Sequence, residues 1–547
     1  MVARSRGRRD RRPHERGSVK AELDPVTQEI LRHALSGIAE EMAVVEYRSS
    51  FSPIIREMLD FSCGTFDARG RMLSHAEQIP AQLGLMQFAL EAALAKYGRL
   101  APGDVVLVNH PYHGGTHTPD LQLFMPAYDG DRLVGYAGSI AHHADIGGRV
   151  PGTESADNTE LYQEGLLFPP VKLVSAGERN EALFDVIAAN VRDPHSTVGD
   201  LAAQIAACRR GSERLVEMCD RHGVDTVELA MEAFLEQTSE RTAAELRSWP
   251  ARAVEAEGFL DDDGIHPGTP VRIAVRIEVR GETLHVDFSG SAPQVAGGIN
   301  APWASTHAGV YFAVRCFLGT AIPQNDGLTR HVVVEAEEGT VVRPRFPAAV
   351  SARHLTVQRL AEVACVALGD LLPDRAVAAS HVSFPAFIFE AVDARTGRLT
   401  LLMDILGGGG GARRHAPGDH AIDTYTSSCA ILPAEIAELE YPWLVERTEL
   451  VEDSGGAGAE TGGWAIRRDY RLLAESAEGP YYVEQTNPAF AARGREGGGP
   501  GAPARVTVYR ADGDEEPIPS KGYLHLRRGD VVSFVSAGGG GYGAGRG

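Results

Sequence analysis

The chain lacks the signatures by which several common activities declare themselves. No GxxxxGK[ST] phosphate loop occurs in its 547 residues, and no GxGxxG run follows a strand to open a helix, so no nucleotide site is legible. There is no GxSxG elbow, which leaves a serine-hydrolase reading without an anchor. The six cysteines (Cys63, Cys208, Cys219, Cys316, Cys365, Cys429) are scattered, with no CxxC among them. That excludes a disulfide framework and predicts reduced, mostly buried thiols of a cytoplasmic protein. Positive charge is scarce: 53 Lys and Arg stand against 74 Asp and Glu, for a net charge of −21. Nucleic acid needs a basic face and is excluded as a partner. No apolar stretch reaches the roughly 18 residues of a membrane helix.

What is present is an ordinary globular composition with many glycines, 61 in all, crowded toward the end of the chain, where they predict tight turns. The length exceeds what one core usually supports. The reading is α+β: mixed helices and largely antiparallel sheets with Gly-rich loops. Residues 1–22, crowded with Arg4, Arg6, Arg8, Arg9, Arg11, Arg12 and Arg16 and almost free of apolar residues, are expected to be a disordered tail. Residues 23–250 read as an N-terminal α+β metal-binding domain, and 251–547 as a β-rich α+β region.

Asp24-Pro25 is a helix start, and Ile30, Leu31, Leu35, Ile38, Met42 and Val45 recur at helical spacing. Residues 80–97, 197–222, 224–249, 305–318 and 356–371 also read as helices. Residues 121–127 and 132–141, joined at Asp129-Gly130-Asp131, read as a hairpin, and 272–279 with 284–288 as another.

Two stretches hold the concentrated chemistry: Gly114-Gly115-Thr116-His117-Thr118-Pro119-Asp120 and Ala141-His142-His143-Ala144-Asp145-Ile146-Gly147-Gly148. Imidazole and carboxylate together suit Zn²⁺, Mn²⁺ or Fe²⁺, and the hairpin between the stretches returns the second to the first. With Pro119 between them, His117 and Asp120 belong to a loop or strand end, where both can converge on one ion. On a strand, His142 and His143 point to opposite faces, so one of them shares the ion and the other serves as an outer partner or proton carrier. Asp60, between apolar neighbours, carries a weaker signal, with a cap or salt bridge an equal alternative. Asp157, Glu160 and Glu164 lie in a polar loop and are candidates for lining a pocket. Gly407–Gly411, followed by Arg413 and Arg414, reads either as an anion-binding loop or as a structural turn.

These residues resemble the hydantoinase B/oxoprolinase family, which takes in the B-type subunits of N-methylhydantoinase and caprolactamase, the C-terminal half of 5-oxoprolinase and the acetone carboxylase alpha subunit. The markers are Asp60-Phe61-Ser62-Cys63, the two His/Asp stretches, Asp287-Phe288-Ser289-Gly290, Pro323-Gln324-Asn325-Asp326-Gly327, the 407–411 glycines, Asp453-Ser454-Gly455-Gly456-Ala457-Gly458 and the terminal Gly-rich run. The resemblance implies metal ligands at Asp60, His117, Asp120 and His142, with His142 favoured over His143. It implies a division of labour in which a hydantoinase A-type partner binds ATP and activates the amide while this chain hydrolyses the lactam or hydantoin ring. The expected complex is a hetero-oligomer, the expected cofactor a divalent metal (Zn or Mn, with Fe a further option), and ATP is expected on the partner rather than here. His143 or Asp145 is expected to carry the proton. Two alternatives stand beside this reading: the alpha-type subunit of an ATP-dependent ketone carboxylase, and a non-catalytic assembly subunit with a structural metal. The chain departs from the family at Asn109-His110-Pro111-Tyr112 and Ser427-Ser428-Cys429, segments expected to bear on the substrate.

Overall fold

The computed structural model describes residues 23–545 apart from 77 and 83. The Arg-rich segment 1–22 expected to be disordered lies outside the described residues. The fold is α+β, with mixed helices and several antiparallel sheets, as the residue pattern predicts.

Helix Pro25–Ser49 starts where the sequence places it, because the Asp24 carboxylate accepts from the Val26 and Thr27 amides at 3.1 and 3.0 Å. It packs with helix Pro194–His222 against a seven-stranded antiparallel sheet. The strand order is Met72–His75, Phe61–Asp67, Arg132–His142, Asp120–Asp129, Val105–Val108, Val171–Ser175, Glu178–Arg179. Helix Met86–Tyr97 covers the other face through Phe66, Leu90, Phe124 and Ile140. With both faces covered, Phe61–Asp67 is buried along its whole length instead of alternating. The helix expected over 80–97 is interrupted. A 3₁₀ turn at Pro80–Gln82 precedes Gly84, whose φ of +67° ends it, and the α-helix begins only at Met86.

The second half builds three further sheets. In one, Thr283–Asp287 pairs in parallel with Val332–Glu335. Parallel strands need a long crossover, supplied here by helix Trp303–Phe317. Helix Arg353–Leu371 runs beside that helix, its residues buried almost throughout. The other two sheets order as Arg398–Ile405, Ala386–Asp393, Ser476–Tyr482, Lys521–Arg527 and as Trp443–Val451, Ala465–Leu472, Val531–Val535, Arg505–Tyr509, Glu515–Ile518. One hydrophobic cluster runs from Ile54 and Met58 through Leu355 and Phe387 to Phe534.

Four glycine-rich runs, 407–411, 455–463, 498–501 and 538–541, lie against one another as bare backbone. Gly539 N–H donates to Gly463 O at 3.0 Å, Gly463 N–H to Gly410 O at 2.8 Å, Gly456 N–H to Gly539 O at 2.8 Å and Gly541 N–H to Gly499 O at 2.9 Å. A Cβ on Gly409, Gly456, Gly462 or Gly538 would strike neighbouring backbone. The 407–411 run is therefore packed as structure, the second of its two sequence readings. Among the described residues no helix is long and apolar enough to cross a membrane.

Candidate metal centre

The hairpin register sets Asp120 directly opposite His142, so the two side chains share one face of the sheet. His142 turns toward Asp120, its Nδ1 3.1 Å from Oδ1. His143, one residue on, faces the other way. His117 arrives from the Gly114-Gly115 turn. Gly114 has a φ of +90°, and a Cβ on Gly115 would meet the Asn109 carbonyl carbon at 2.7 Å. His117 Nε2 then stands 3.1 Å from Asp120 Oδ1.

The second half of the chain closes the site. Arg353, at the start of its helix, donates from Nη2 to Asp120 Oδ2 at 2.7 Å, and the Thr116 hydroxyl donates to the same oxygen. Asp120 therefore turns Oδ1 toward the two imidazoles. Glu154 Oε1 lies 2.7 Å from His117 Nδ1, and Glu154 Oε2 accepts from the Tyr482 hydroxyl at 2.5 Å. His117 Nδ1 is also 2.8 Å from Ser351 O. His354 packs its ring on Phe384 and Tyr482. Two sets of potential ligands result, His117/Asp120/His142 and His117/Glu154/His354, each with its ligand atoms within 4.8 Å of one another.

The residues fit a divalent cation. His117 Nε2, His142 Nε2, His354 Nε2 and Glu154 Oε1 are buried without a hydrogen-bond partner among the described residues. Such orphaned groups are rare in proteins. The close approaches of His117 to Asp120 and Glu154 lack hydrogen-bond alignment, as expected of lone pairs aimed at a common point. Burial pushes the His117 imidazolium down and Arg353 pushes it further, but the Asp120 and Glu154 carboxylates outweigh both and raise it to about 9. Burial holds His354 to about 3, so its imidazole is neutral and its lone pair free. Glu154, despite burial, is pulled well below the carboxylate range by His117 and then His142. The cavity among these groups, about 40 Å³, is walled on one side by Phe384, Met403 and Ile405. It has room for an ion and a few waters.

Asp60 lines the same cavity without joining either ligand set. Its carbonyl accepts from the His142 amide at 3.0 Å and its carboxylate from Gln82 Nε2 at 3.4 Å. His143 is fully buried away from the cluster, its Nε2 3.0 Å from Gln204 Oε1. Asp145 is also engaged elsewhere, accepting from the Gly147, Gly152 and Arg192 amides and pairing with the Arg192 guanidinium at 2.9 Å. Asp157 pairs with Arg149, and Glu160 is exposed. Glu164 is buried and holds the Val350 and Ser351 amides at 2.7 and 2.9 Å. Through Ser351 O it supports His117 rather than lining the cavity. The sequence reading missed Glu154, Arg353, His354 and Tyr482. The adjacent Arg353 and His354 before an expected helix were the available signal for two of them, while Glu154 sits in an irregular segment with none.

Comparison with known proteins places the chain in a family. An uncharacterized protein of Methanocaldococcus jannaschii is 34% identical over 95% of this chain and 91% of its own length. The caprolactamase beta subunit of Pseudomonas jessenii is 31% identical over 95% of this chain and 91% of its own. The crystal structure of the ATP-dependent caprolactamase from Pseudomonas jessenii superposes with a TM-score of 0.89 at 30% identity, covering 95% of this chain and 91% of that one. The profile of the hydantoinase B/oxoprolinase family matches residues 24–545, essentially every described residue, and the chain belongs to that family.

Proposed function

We propose that this chain is the metal-dependent component of an ATP-coupled cyclic amidohydrolase, which opens a lactam or hydantoin ring activated by a hydantoinase A-type partner. The observation that carries the reading is the buried convergence of His117, Asp120 and His142, with two imidazole nitrogens left unpartnered. In this reading Asp60 joins these three as a ligand of Zn or Mn, or of Fe. When bound, the cation would supply Lewis acidity beside the reacting carbonyl.

The chain's own residues supply the rest. Arg353 and Thr116 hold Asp120 so that one oxygen faces the imidazoles. Tyr482 orients Glu154, whose second oxygen lies in the cavity beside His117 Nδ1 without an aligned hydrogen bond. The proton-carrying role expected of His143 and Asp145 passes to Glu154, because both of those side chains are committed elsewhere. Phe384, Met403 and Ile405 line the cavity and would shield a bound ring from bulk water. The relative whose structure is described as ATP-dependent supports the ATP requirement, and the nucleotide is assigned to the partner because this sequence carries no nucleotide fingerprint.

The test has two arms. Purified wild type should hold about one divalent metal per chain, and His117→Ala far less; equal metal in both overturns the ligand assignment. In the complex reconstituted with a hydantoinase A-type partner, Glu154→Gln should keep its metal and lose ring opening by about 10²–10⁴-fold, the range of acid–base catalysis. Turnover near wild type would remove Glu154 from the mechanism, and ring opening by this chain alone without ATP would refute the two-component reading.

A further inference from the structure

Helices Trp303–Phe317 and Arg353–Leu371 run side by side in the same direction. Their starts are tied by the Thr356 hydroxyl, which donates to Ile299 O at 2.5 Å just before the first helix. Their ends are tied by the Arg375 guanidinium, which donates to Phe317 O. Gly309 lets the backbones approach: a Cβ there would meet Leu360 Cδ2 at 2.8 Å and Val357 Cγ1 at 3.3 Å. An advance of seven residues, about two helical turns, leads from Gly309 to Cys316 on one helix and from 357–360 to 364–367 on the other, which brackets Cys365. The two thiols are neighbours close enough to shift each other's titration. Cys316 is exposed and Cys365 partly so, whereas Cys63, Cys208 and Cys219 are buried and Cys429 lies in the metal cavity.

We propose that Cys316 and Cys365 are a redox modification site that closes to an intramolecular disulfide by exchange with a low-molecular-weight disulfide. The Cys316 thiolate attacks one sulfur of the small disulfide, forming a mixed disulfide and releasing the first small thiolate. Cys365 then loses its proton and displaces the second, so the S–S bond joins the two helices. The pair gives up two electrons, the small disulfide is reduced to two thiols, and the two protein protons go to those thiols. Cys316 is the attacking group because it is the exposed one. The neighbouring Cys365 thiol, and then Arg315, also lower its pKa against the effect of burial. The staple would bind the helix that begins with Arg353 and His354 to its neighbour at the opposite end from the metal centre.

The experiment uses the full chain treated with oxidised glutathione, alkylated and digested with trypsin. The expected product is a single cross-linked pair, peptide 316–330 joined to peptide 360–375, with two of the six thiols lost. In Cys365→Ser, Cys316 should stop at the glutathione mixed disulfide, and in Cys316→Ser, Cys365 should stay reduced. A wild-type protein in which Cys316 remains glutathionylated without closing, or in which both thiols stay free, overturns the proposal.

Discussion

Each buried imidazole at the candidate metal centre has its proton occupancy set by what it touches. His354 is neutral because burial, helped by Arg353, outweighs the pull of the nearby Glu154 carboxylate, whereas His117 lies between two carboxylates and keeps its proton to about pH 9. A protonated imidazole cannot ligate, so binding of the cation must expel that proton. Apparent metal affinity should therefore rise about tenfold per pH unit below about 9 and level off above it. Titration against a chromophoric chelator between pH 6.5 and 9.5 measures this, and an affinity flat across that range would exclude His117 as a ligand. His117, Asp120 and the His142/His143 alternative were legible because a metal site needs these groups beside glycines within a few residues. Glu154 and Tyr482 were not, because Glu154 meets His117, and Tyr482 meets Glu154, only through folding, and nothing in their neighbourhoods marks a buried polar side chain.

The elements that carry the site were largely readable from periodicity. The hairpin over 120–142 and the helices beginning near Asp24 and Thr356 follow apolar spacing and turn residues directly. The segment 147–170 shows no periodicity because its shape comes from distant partners such as Glu164 with Val350 and Ser351. The turn that delivers His117 depends on equally tight local packing. Asn109 holds it from outside, donating from Nδ2 to Thr118 O at 2.7 Å while its Oδ1 accepts from the Phe168 amide at 2.6 Å. A Cβ on Gly115 would press into the backbone of Asn109 and His110, where no flexible side chain can yield. Gly115→Ala should thus displace His117 and lower metal affinity by about 10–100-fold, the range for losing the support of a ligand. Metal affinity unchanged in a folded Gly115→Ala protein would show that the turn tolerates a wider backbone.

At the scale of the molecule, the four glycine runs contribute a core in which peptide groups take the place of side chains. Gly539→Ala would drive a methyl group into the backbone of Gly409 and Gly410. It should destabilise the protein by more than about 4 kcal/mol, the tail reached by severe overpacking, with soluble yield and denaturant midpoint as the readouts. Gly37→Ala provides the contrast. That glycine lies within helix Pro25–Ser49 with open space beyond it, and the same added methyl should stabilise by about 0.5–1 kcal/mol. Equal midpoints for the two variants would show that the runs are looser than their contacts indicate. The bundle also constrains the order of assembly. Residues 538–541 hydrogen-bond to 379, 412, 456, 463 and 499, among them partners more than a hundred positions earlier in the chain. Until that segment has left the ribosome, the earlier runs wait with bare amides and carbonyls. Such high contact order makes closure slow, so newly made chains pass through an interval in which this region depends on water or chaperones for its hydrogen bonds.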